Sequence, residues 1–336
     1  MIACFPENGA RVGITGIGVQ VPDRVLTNAE LEQMVETSDE WIVERSGIRE
    51  RRIAADDEAA SDLALPAARM ALAQAGVDAA DLDMIVVATS TPDMLFPSTA
   101  AIVAEQLGAK NAYAYDTLAA CSGFLYGLSQ AHGVVSGGVA KRALVVGSET
   151  LSKIVDWTDR STCILFGDGA GAAVVEHVDE GGFMGFELGV DASHGSDLYL
   201  PAGGSRSPAS TETVANGEHW VRMNGREVFK VATRLMVTSA ADLLEACGAT
   251  VDDVDLYVPH QANQRIIDHA AKNLGLPAEK VFLNIDRYGN TSAASIPLAL
   301  ADANAAGRLT PGTRVLMSAV GGGLTWGSAY MTWSAS

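Results

Sequence analysis

A chain of 336 residues, 48% hydrophobic and with 34 glycines, can fill two domains or one large α/β unit, which excludes global disorder. A formal net charge of −18 excludes non-specific nucleic-acid binding and obliges any acidic partner to meet a local basic patch. The stretch Met1 to Arg11 lacks a basic region followed by an apolar one, and no apolar run approaches membrane-spanning length, so the chain reads as soluble, cytoplasmic and without a membrane partner.

In chain order, the residues up to about Gly9 read as a loose end. Val12 to Val19 alternates into a glycine-rich strand, where Gly13, Gly16 and Gly18 stand in the wrong order for a dinucleotide fingerprint. Thr27 and Glu30 form a capping box that opens a helix through Val35, and a second short helix carries Trp41 and Arg45. Ser61 caps a long amphipathic helix that stops at Gly76, and Met84 to Ala88 reads as a strand buried on both faces, as in a parallel sheet. Ala112 to Tyr115 is a further buried strand after the helix-stopping Gly108. Phe124, Leu125, Leu128, Ala131 and Val135 then recur at helical spacing up to Gly137 and Gly138. Cys121 therefore stands at a strand-to-helix turn, where unpaired N–H groups and the helix dipole lower a thiol's pKa. The four cysteines, Cys4, Cys121, Cys163 and Cys247, offer no C-x-x-C pair and no metal-ligand spacing, which predicts free thiols, a reducing compartment and no metal.

The second half repeats the first. The run from Asp81 through the strand to a polar turn recurs from Asp253 to His260; Gln106-Leu107-Gly108 recurs as Asn273-Leu274-Gly275. The strand and turn from Tyr115 to Cys121 match Ile285 to Thr291, Ala143 to Gly147 match Arg314 to Ser318, and Gly171 to Val175 match Gly327 to Met331. These offsets lie near half the chain, so they mark one internal duplication, with an extra segment at roughly Ser148 to Leu165 that holds Trp157 and Arg160. The expected organisation is two α/β halves, residues 1–182 and 183–336, with parallel-rich sheets covered by helices and packed as one unit.

Two basic segments stand out in this acidic chain. Arg45, Arg49, Arg51 and Arg52 crowd one stretch, and Arg226, Lys230 and Arg234 share one face of a helix with Arg222 just upstream. A glycine- and serine-rich loop, Pro201 to Gly217, precedes that helix.

Corresponding loops of two pseudo-symmetric halves face each other across their axis. Cys121, His260 and Asn290 all fall at C-terminal strand ends, where α/β sheets bind ligands. One chemistry for Cys, His and Asn is a cysteine hydrolase, and the order of the residues fits it; the Ala120-Cys121-Ser122-Gly123 context lacks that signature, and no secretion signal is present. The other is carbon–carbon bond formation on thioesters. A thiolate takes an acyl group, a second thioester loses CO₂, and the enolate oxygen is held by two neutral donors, an imidazole N–H and an Asn N–H. The N–H of Cys121 and one from the run Gly321-Gly322-Gly323 suit an oxyanion hole for the acyl carbonyl, because glycine lets backbone approach substrate closely.

The segments Ala119-Ala-Cys121-Ser-Gly-Phe, Val258-Pro-His260-Gln-Ala-Asn263-Gln-Arg265-Ile, Gly289-Asn290-Thr-Ser-Ala-Ala-Ser-Ile-Pro and Gly321-Gly-Gly-Leu-Thr-Trp-Gly-Ser resemble the β-ketoacyl-acyl-carrier-protein synthase III family of the thiolase superfamily, over about Val12 to Trp333. The resemblance implies a five-layered αβαβα fold in a homodimer that joins a short acyl-CoA primer to malonyl-acyl carrier protein, with release of CO₂ and CoA and no cofactor beyond the CoA thioester substrates. A starter enzyme of secondary metabolism with another primer is the alternative. It implies Cys121 as nucleophile, His260 and Asn290 as the decarboxylation pair, and the N–H groups of Cys121 and Gly322 as the oxyanion hole. CoA contacts are implied for Thr37, Trp41, Arg45, Arg160, Gly225 and Asn263, with adenine between Trp41 and Arg160. Carrier-protein contacts are implied for Gln261, Ala262, Asn263, Gln264, Arg265 and Lys230. The acyl pocket would involve Phe96, reaching toward the partner subunit, and Val320. Val320 and Leu324 depart from the Phe found in many members, which opens the pocket to branched or slightly longer primers.

Overall fold

The computed structural model describes residues 1–5 and 11–335. Its first stretch runs through β1 (Ile2–Cys4), β2 (Val12–Gln20), β3 (Arg24–Thr27), α1 (Asn28–Leu31), α2 (Asp39–Ser46) and β4 (Glu50–Ile53). The expected capping box forms, with the Glu30 carboxylate accepting from the Thr27 N–H at 3.0 Å. The helix nevertheless ends at Leu31 rather than Val35, since the exposed Glu32, Gln33 and Met34 give a further turn nothing to bury. Next come α3 (Ala60–Ala75), β5 (Met84–Ala88), α4 (Thr99–Leu107), β6 (Tyr113–Thr117), α5 (Gly123–Ser136), β7 (Arg142–Glu149), α6 (Arg160–Cys163) and β8 (Gly169–His177). Ser61 does not cap α3: the Asp62 carboxylate accepts from the Ala59 N–H at 2.8 Å, and Ser61 bonds Asp93 at 2.6 Å.

The remainder comprises β9 (Gly182–Val190), β10 (Leu198–Tyr199), α7 (Thr211–Ala215), β11 (Arg222–Met223), α8 (Gly225–Ala246), β12 (Leu256–Pro259), α9 (Gln264–Leu274), α10 (Ile285–Tyr288), α11 (Ser295–Ala305), β13 (Arg314–Gly321) and β14 (Thr325–Thr332). The Pro201–Gly217 loop thus contains the short helix α7, capped by Ser210.

One five-stranded sheet has the order β2-β8-β7-β5-β6 and the other β1-β9-β14-β13-β12. In each, the central connections are parallel, β5 with β6 and β7 and β12 with β13, and antiparallel strands complete the sheet. Side chains alternate along every strand and so build three separate apolar layers. Val86, Leu125, Leu128, Val258, Ile296, Leu300 and Met317 place α5 and α11 between the two sheets. Ile85, Val87 and Val146 meet Leu63 and Ala67 of α3 on the outer face of the first sheet, and Tyr257, Leu316 and Tyr330 meet Ala240 and Leu243 of α8 on the outer face of the second. Helix, sheet, helix, sheet and helix follow one another, the five-layered αβαβα arrangement. The glycines of β2 serve packing: a Cβ on Gly16 would overlap the Ala71 carbonyl and stand 2.8 Å from Ala75 N of α3.

The repeat has a sharper register than sequence matching gives. Met84 and Leu256 open β5 and β12, Gly123 and Ser295 open α5 and α11, and Arg142 and Arg314 open β7 and β13, each pair 172 positions apart. Cys121 thus corresponds to Ala293 rather than Thr291. The expected counterpart of β6 is not a strand: Ile285–Tyr288 is the short helix α10, and only the bridge between Tyr257 and Val281 remains of the pairing.

Two further expectations are corrected at the surface. The opening residues are no loose end as far as Phe5: β1 pairs with β9 at the edge of the second sheet, while Pro6 to Gly9 lie outside the described residues. Cys4 and Cys247 are joined as a disulfide with Cα atoms 5.4 Å apart, leaving Cys121 and Cys163 as the free thiols. Their wide sequence spacing gave no hint of it, because the strand pairing that brings Cys4 to the end of α8 is a tertiary contact. Among the described residues no helix is long and apolar enough to cross a membrane.

Candidate active site

Cys121 sits in a tight turn, Ala120–Ser122, between β6 and α5, and is 7% exposed. The turn is clamped from β14 and β13. The Thr325 hydroxyl donates to the Ala119 carbonyl at 2.8 Å and pairs with the Ser122 hydroxyl at 2.6 Å. A Cβ on Gly321 would stand 2.6 Å from Cys121 N and 2.9 Å from the Ala119 carbonyl, so only glycine fits there. Burial pushes the thiol up to about 12 and outweighs the lowering by the Ser292 hydroxyl and by its own backbone N–H, so Cys121 is not the lowered thiol that the sequence pattern suggested.

His260 follows β12. Its N–H donates to the Ser318 carbonyl of β13 at 2.8 Å, which holds the residue at the strand end. The ring is 1% exposed, and neither Nδ1 nor Nε2 has a hydrogen-bond partner. Burial alone lowers its pKa to about 3, so the imidazole is neutral at physiological pH and carries one free N–H donor.

Asn290 lies in the turn after α10 and is 7% exposed. Its backbone is fixed by the segment inserted in the first half: its N–H donates to the Leu165 carbonyl at 2.8 Å, and its carbonyl accepts from Gly167 N–H at 3.0 Å. Side-chain Oδ1 accepts from Ser292 N–H at 2.9 Å, which orients the amide and leaves Nδ2 to donate elsewhere. Ser292 joins this residue to the cysteine turn, since its hydroxyl faces the Cys121 thiol. On the other side the Gln261 N–H donates to Ser295 Oγ at 2.7 Å, tying the His260 loop to the head of α11. Sulfur, imidazole and carboxamide are thereby joined through one set of packed turns.

The other expected site residues separate into groups. Arg160 lies over the Trp41 ring at 4.8 Å and Arg45 at 5.9 Å, Arg160 Nη1 donates to the Glu36 carbonyl at 2.8 Å, and the Thr37 hydroxyl is buried without a partner. A planar base between Trp41 and Arg160 needs about 7 Å, two contact distances, so this guanidinium has to swing away to admit one. Asn263 bridges the cluster to the His260 loop: its Nδ2 donates to the Arg45 carbonyl at 2.9 Å while Oδ1 caps α9 on Arg265 N–H at 2.9 Å. Gly225 is exposed at the start of α8.

Of the expected carrier-facing residues, Arg265 and Lys230 are exposed, with Arg265 over the Phe229 ring at 5.6 Å and Lys230 3.7 Å from Glu227. Ala262 and Gln264 are half-buried, Gln264 against Gly47. Gln261 does not face outward. It is 1% exposed and its amide is spent inside, on the Pro259 carbonyl at 2.8 Å and the Asn284 N–H at 3.1 Å. Arg51 likewise leaves the first basic segment: fully buried, it donates to Asn28 Oδ1 at 2.8 Å and the Ile164 carbonyl at 2.7 Å. Phe96 is 84% exposed, so it lines no pocket within its own chain. Val320 packs with Val231, Leu235 and Leu324 beneath α8, one residue from the Gly321 that touches Cys121. Sequence reasoning missed Ser292, Thr325 and Glu149. Ser292 was readable as the far end of an Asn-initiated turn, whereas nothing local marks the other two. Among the described residues no cluster of His, Cys, Asp and Glu is placed to hold a metal.

Two similar five-stranded sheets with paired helices between them, and a cysteine turn from the first half packed on the turn that follows Asn290 in the second, place the protein among condensing enzymes of the thiolase-like fold. Comparison with known proteins narrows that class. Residues 115–192 match the model of 3-oxoacyl-[acyl-carrier-protein (ACP)] synthase III, and residues 244–333 match the model of its C-terminal part. The β-ketoacyl-[acyl-carrier-protein] synthase III of Desulfitobacterium hafniense (strain DSM 10664 / DCB-2) is 55% identical over 324 residues, 96% of this chain and 98% of that one. The crystal structure of 3-oxoacyl-[acyl-carrier-protein] synthase III from Aquifex aeolicus VF5 superposes with a TM-score of 0.89 at 47% identity, covering 96% of this chain and 100% of that chain. The priming β-ketosynthase from the R1128 polyketide biosynthetic pathway gives a TM-score of 0.89 at 36% identity, covering 98% of this chain and 99% of that chain. The chain belongs to the β-ketoacyl-acyl-carrier-protein synthase III family and is an acyltransferase of that kind.

Proposed function

We infer that this chain condenses an acyl group delivered as a CoA thioester with malonyl-acyl carrier protein, the step that initiates fatty acid synthesis. The Cys121 sulfur forms a bond to the acyl carbon as the C–S bond to CoA breaks, and CoA leaves as the thiol. Malonyl thioester then loses CO₂, and the electron pair of the broken C–C bond becomes an enolate whose oxygen accepts from the His260 N–H and the Asn290 Nδ2. The enolate carbon attacks the acyl carbonyl, held by the N–H groups of Cys121 and Gly322, the C–S bond to Cys121 breaks, and the departing thiolate takes a proton from solvent to restore the thiol. This chemistry draws on no cofactor, only on the two thioesters.

The observation that carries the reading is the buried, neutral His260 ring with neither nitrogen bonded, together with an Asn290 whose Oδ1 is already taken and whose Nδ2 is left to donate. A base would be expected to hold the thiol; a neutral donor pair is expected to hold an enolate oxygen. Each donor is worth about 10²–10³ in rate. Single-turnover acylation by acetyl-CoA and decarboxylation of malonyl thioester are measured separately in His260→Ala, Asn290→Ala and Cys121→Ala. The first two should lose decarboxylation far more than acylation, and the third should lose acylation and keep decarboxylation. Equal losses of both steps in His260→Ala would make His260 the thiol's base instead and sink the reading.

Primer identity rests on the acyl pocket. Short acyl-CoA primers fit the family, and the small Val320 and Leu324 favour branched or slightly longer ones, so a primer panel that reads mass added to Cys121 distinguishes them. The apolar Leu95, Phe96 and Leu118, exposed by 82%, 84% and 76%, support a homodimer in which Phe96 reaches the neighbouring subunit. The exposed Arg265 and Lys230 support docking of the acidic carrier protein, and a cytoplasmic setting accords with that partner.

A further inference from the structure

Glu149 ends β7 and is fully buried. Its Oε2 accepts from the Thr91 hydroxyl at 2.8 Å, from Ser90 N–H at 3.0 Å and from the Thr89 hydroxyl at 3.5 Å. Its Oε1 has no hydrogen-bond partner, and the Ser292 hydroxyl and Ala293 N–H of the turn at 292–294 act on the same carboxylate. Ser292 also interacts with the Cys121 thiol, and its turn packs on both neighbours, with Ala293 against Gly123 beside the cysteine turn and against Gly147 of β7, which sets the hydroxyl between sulfur and carboxylate. The loop at 89–91 and the turn at 292–294 offer hydroxyls and N–H groups to the carboxylate, and the carboxylate acts on the Cys121 thiol, raising it further.

A carboxylate buried with no cation is costly, and burial raises its pKa above the ordinary range, which makes it a ready proton acceptor. The thiol has the opposite difficulty. Burial holds its proton on, and the unbonded His260 ring does not take it.

We propose that Ser292 and Glu149 form the proton path of the acylation step, with Ser292 touching the reacting sulfur and Glu149 acting through it. Cys121 Sγ passes its proton to Ser292 Oγ while Ser292 passes its own to Glu149 Oε1. The freed sulfur pair forms the new S–C bond, the C–S bond to CoA breaks, and the proton returns along the same path to the departing CoA thiolate. The proposal rests on the acylation of Cys121 inferred above.

Glu149→Gln, Ser292→Ala and the double variant are compared by single-turnover acylation with acetyl-CoA, followed by intact mass across about pH 6 to 9. Each single variant should acylate slower by on the order of 10²-fold, with a rate that climbs with pH as hydroxide replaces the path. The double variant should lose no more than either single, because both break one path. Decarboxylation of malonyl thioester should change far less than acylation. Wild-type acylation in either variant, additive losses, or an equal fall in decarboxylation would overturn the proposal, the last by making Glu149 only a brace for Asn290. Ser292→Ala leaves the carboxylate in place and decides the matter alone if Glu149→Gln does not fold. A wild-type enzyme that never acylates Cys121 would instead remove the earlier reading, and this one with it.

Discussion

Ala120 and Ser292 are the two non-glycine residues in the left-handed region among the described residues, at φ 45° and 47°, and they stand 172 positions apart. Each opens a tight turn, Ala120–Ser122 and Ser292–Ala294, that feeds a central helix, α5 or α11. Left-handed backbone costs a side-chain-bearing residue about 1–2 kcal/mol, so both turns persist because their surroundings hold them. They hold each other. Ser292 faces Cys121 in the opposite turn, and Ala293 packs against Gly123 and Gly147.

Gly147→Ala tests that lock. A Cβ at position 147 would overlap the Ala293 carbonyl, and the turn that carries Asn290 would have to move. Overpacking of this kind costs about 1–3 kcal/mol. The variant should melt earlier and lose more than about tenfold in condensation kcat/KM, since a small misplacement of the donor costs that much. Unchanged melting and unchanged kinetics would show that the turn has room.

Gly321→Ala attacks the same region from β13. Its added methyl would stand 2.6 Å from Cys121 N and 3.1 Å from the Ala120 Cβ. The cysteine turn should shift relative to its oxyanion donors, so acylation should fall by on the order of 10²-fold, the value of a lost donor. Decarboxylation, assigned in the proposed function to His260 and Asn290, should fall less. Acylation at the wild-type rate would separate Gly321 from the nucleophile.

Burial of two histidines predicts the direction of acid sensitivity. His132 stacks on Phe5 with ring centroids 3.8 Å apart, and burial lowers its pKa from 6.5 to about 4; for His260 the fall is to about 3. Between these values and 6.5 the unfolded chain binds more protons than the folded one. Stability therefore falls as pH drops below about 6.5, by up to about 1.4 kcal/mol per pH unit for each histidine, and neither contributes a slope above it. His132→Phe keeps the aromatic stack and removes one of the two groups. Its melting temperature should fall less steeply on acidification than the wild type's, and an unchanged slope would mean that His132 is not held neutral.

The sequence-to-structure comparison follows contact range. Motifs whose physics is local were legible: the capping box at Thr27 and Glu30, the stop at Gly76, the turn that presents Cys121 and the register of β5. The duplication was legible as a constant offset, and it put the ends of β12 and of the segment after α10 where the expected His260 and Asn290 stand. What stayed hidden depends on distant partners. Gln261 looks like a polar loop residue until the Pro259 carbonyl and Asn284 N–H consume its amide. Arg51 looks like one of four clustered cations until Ile164 and Asn28 draw it inward. Glu149 has no signature at all, since its meaning comes from a turn on the other half of the chain.

The Cys4–Cys247 bridge belongs to that hidden class and yields the last prediction. It ties β1, the outermost strand of the second sheet, to the end of α8, and it closes a loop of 243 residues. Phe5, just beyond, seats on His132 of α5, so the bridge also secures the cover over the helix that follows Cys121. A disulfide closing so long a loop stabilises by about 2–5 kcal/mol, chiefly by restricting the unfolded chain. Reduction, or Cys4→Ser, should shift the denaturation midpoint down accordingly, while the buried Cys121 stays competent for acylation, since its turn is held by Thr325, Gly321 and Ser292. Thiol counting under denaturing, non-reducing conditions should find two free cysteines, Cys121 and Cys163. Four free thiols in protein purified without reductant, together with a midpoint that reductant does not move, would show that β1 is held by its pairing with β9 and the Phe5 stack alone.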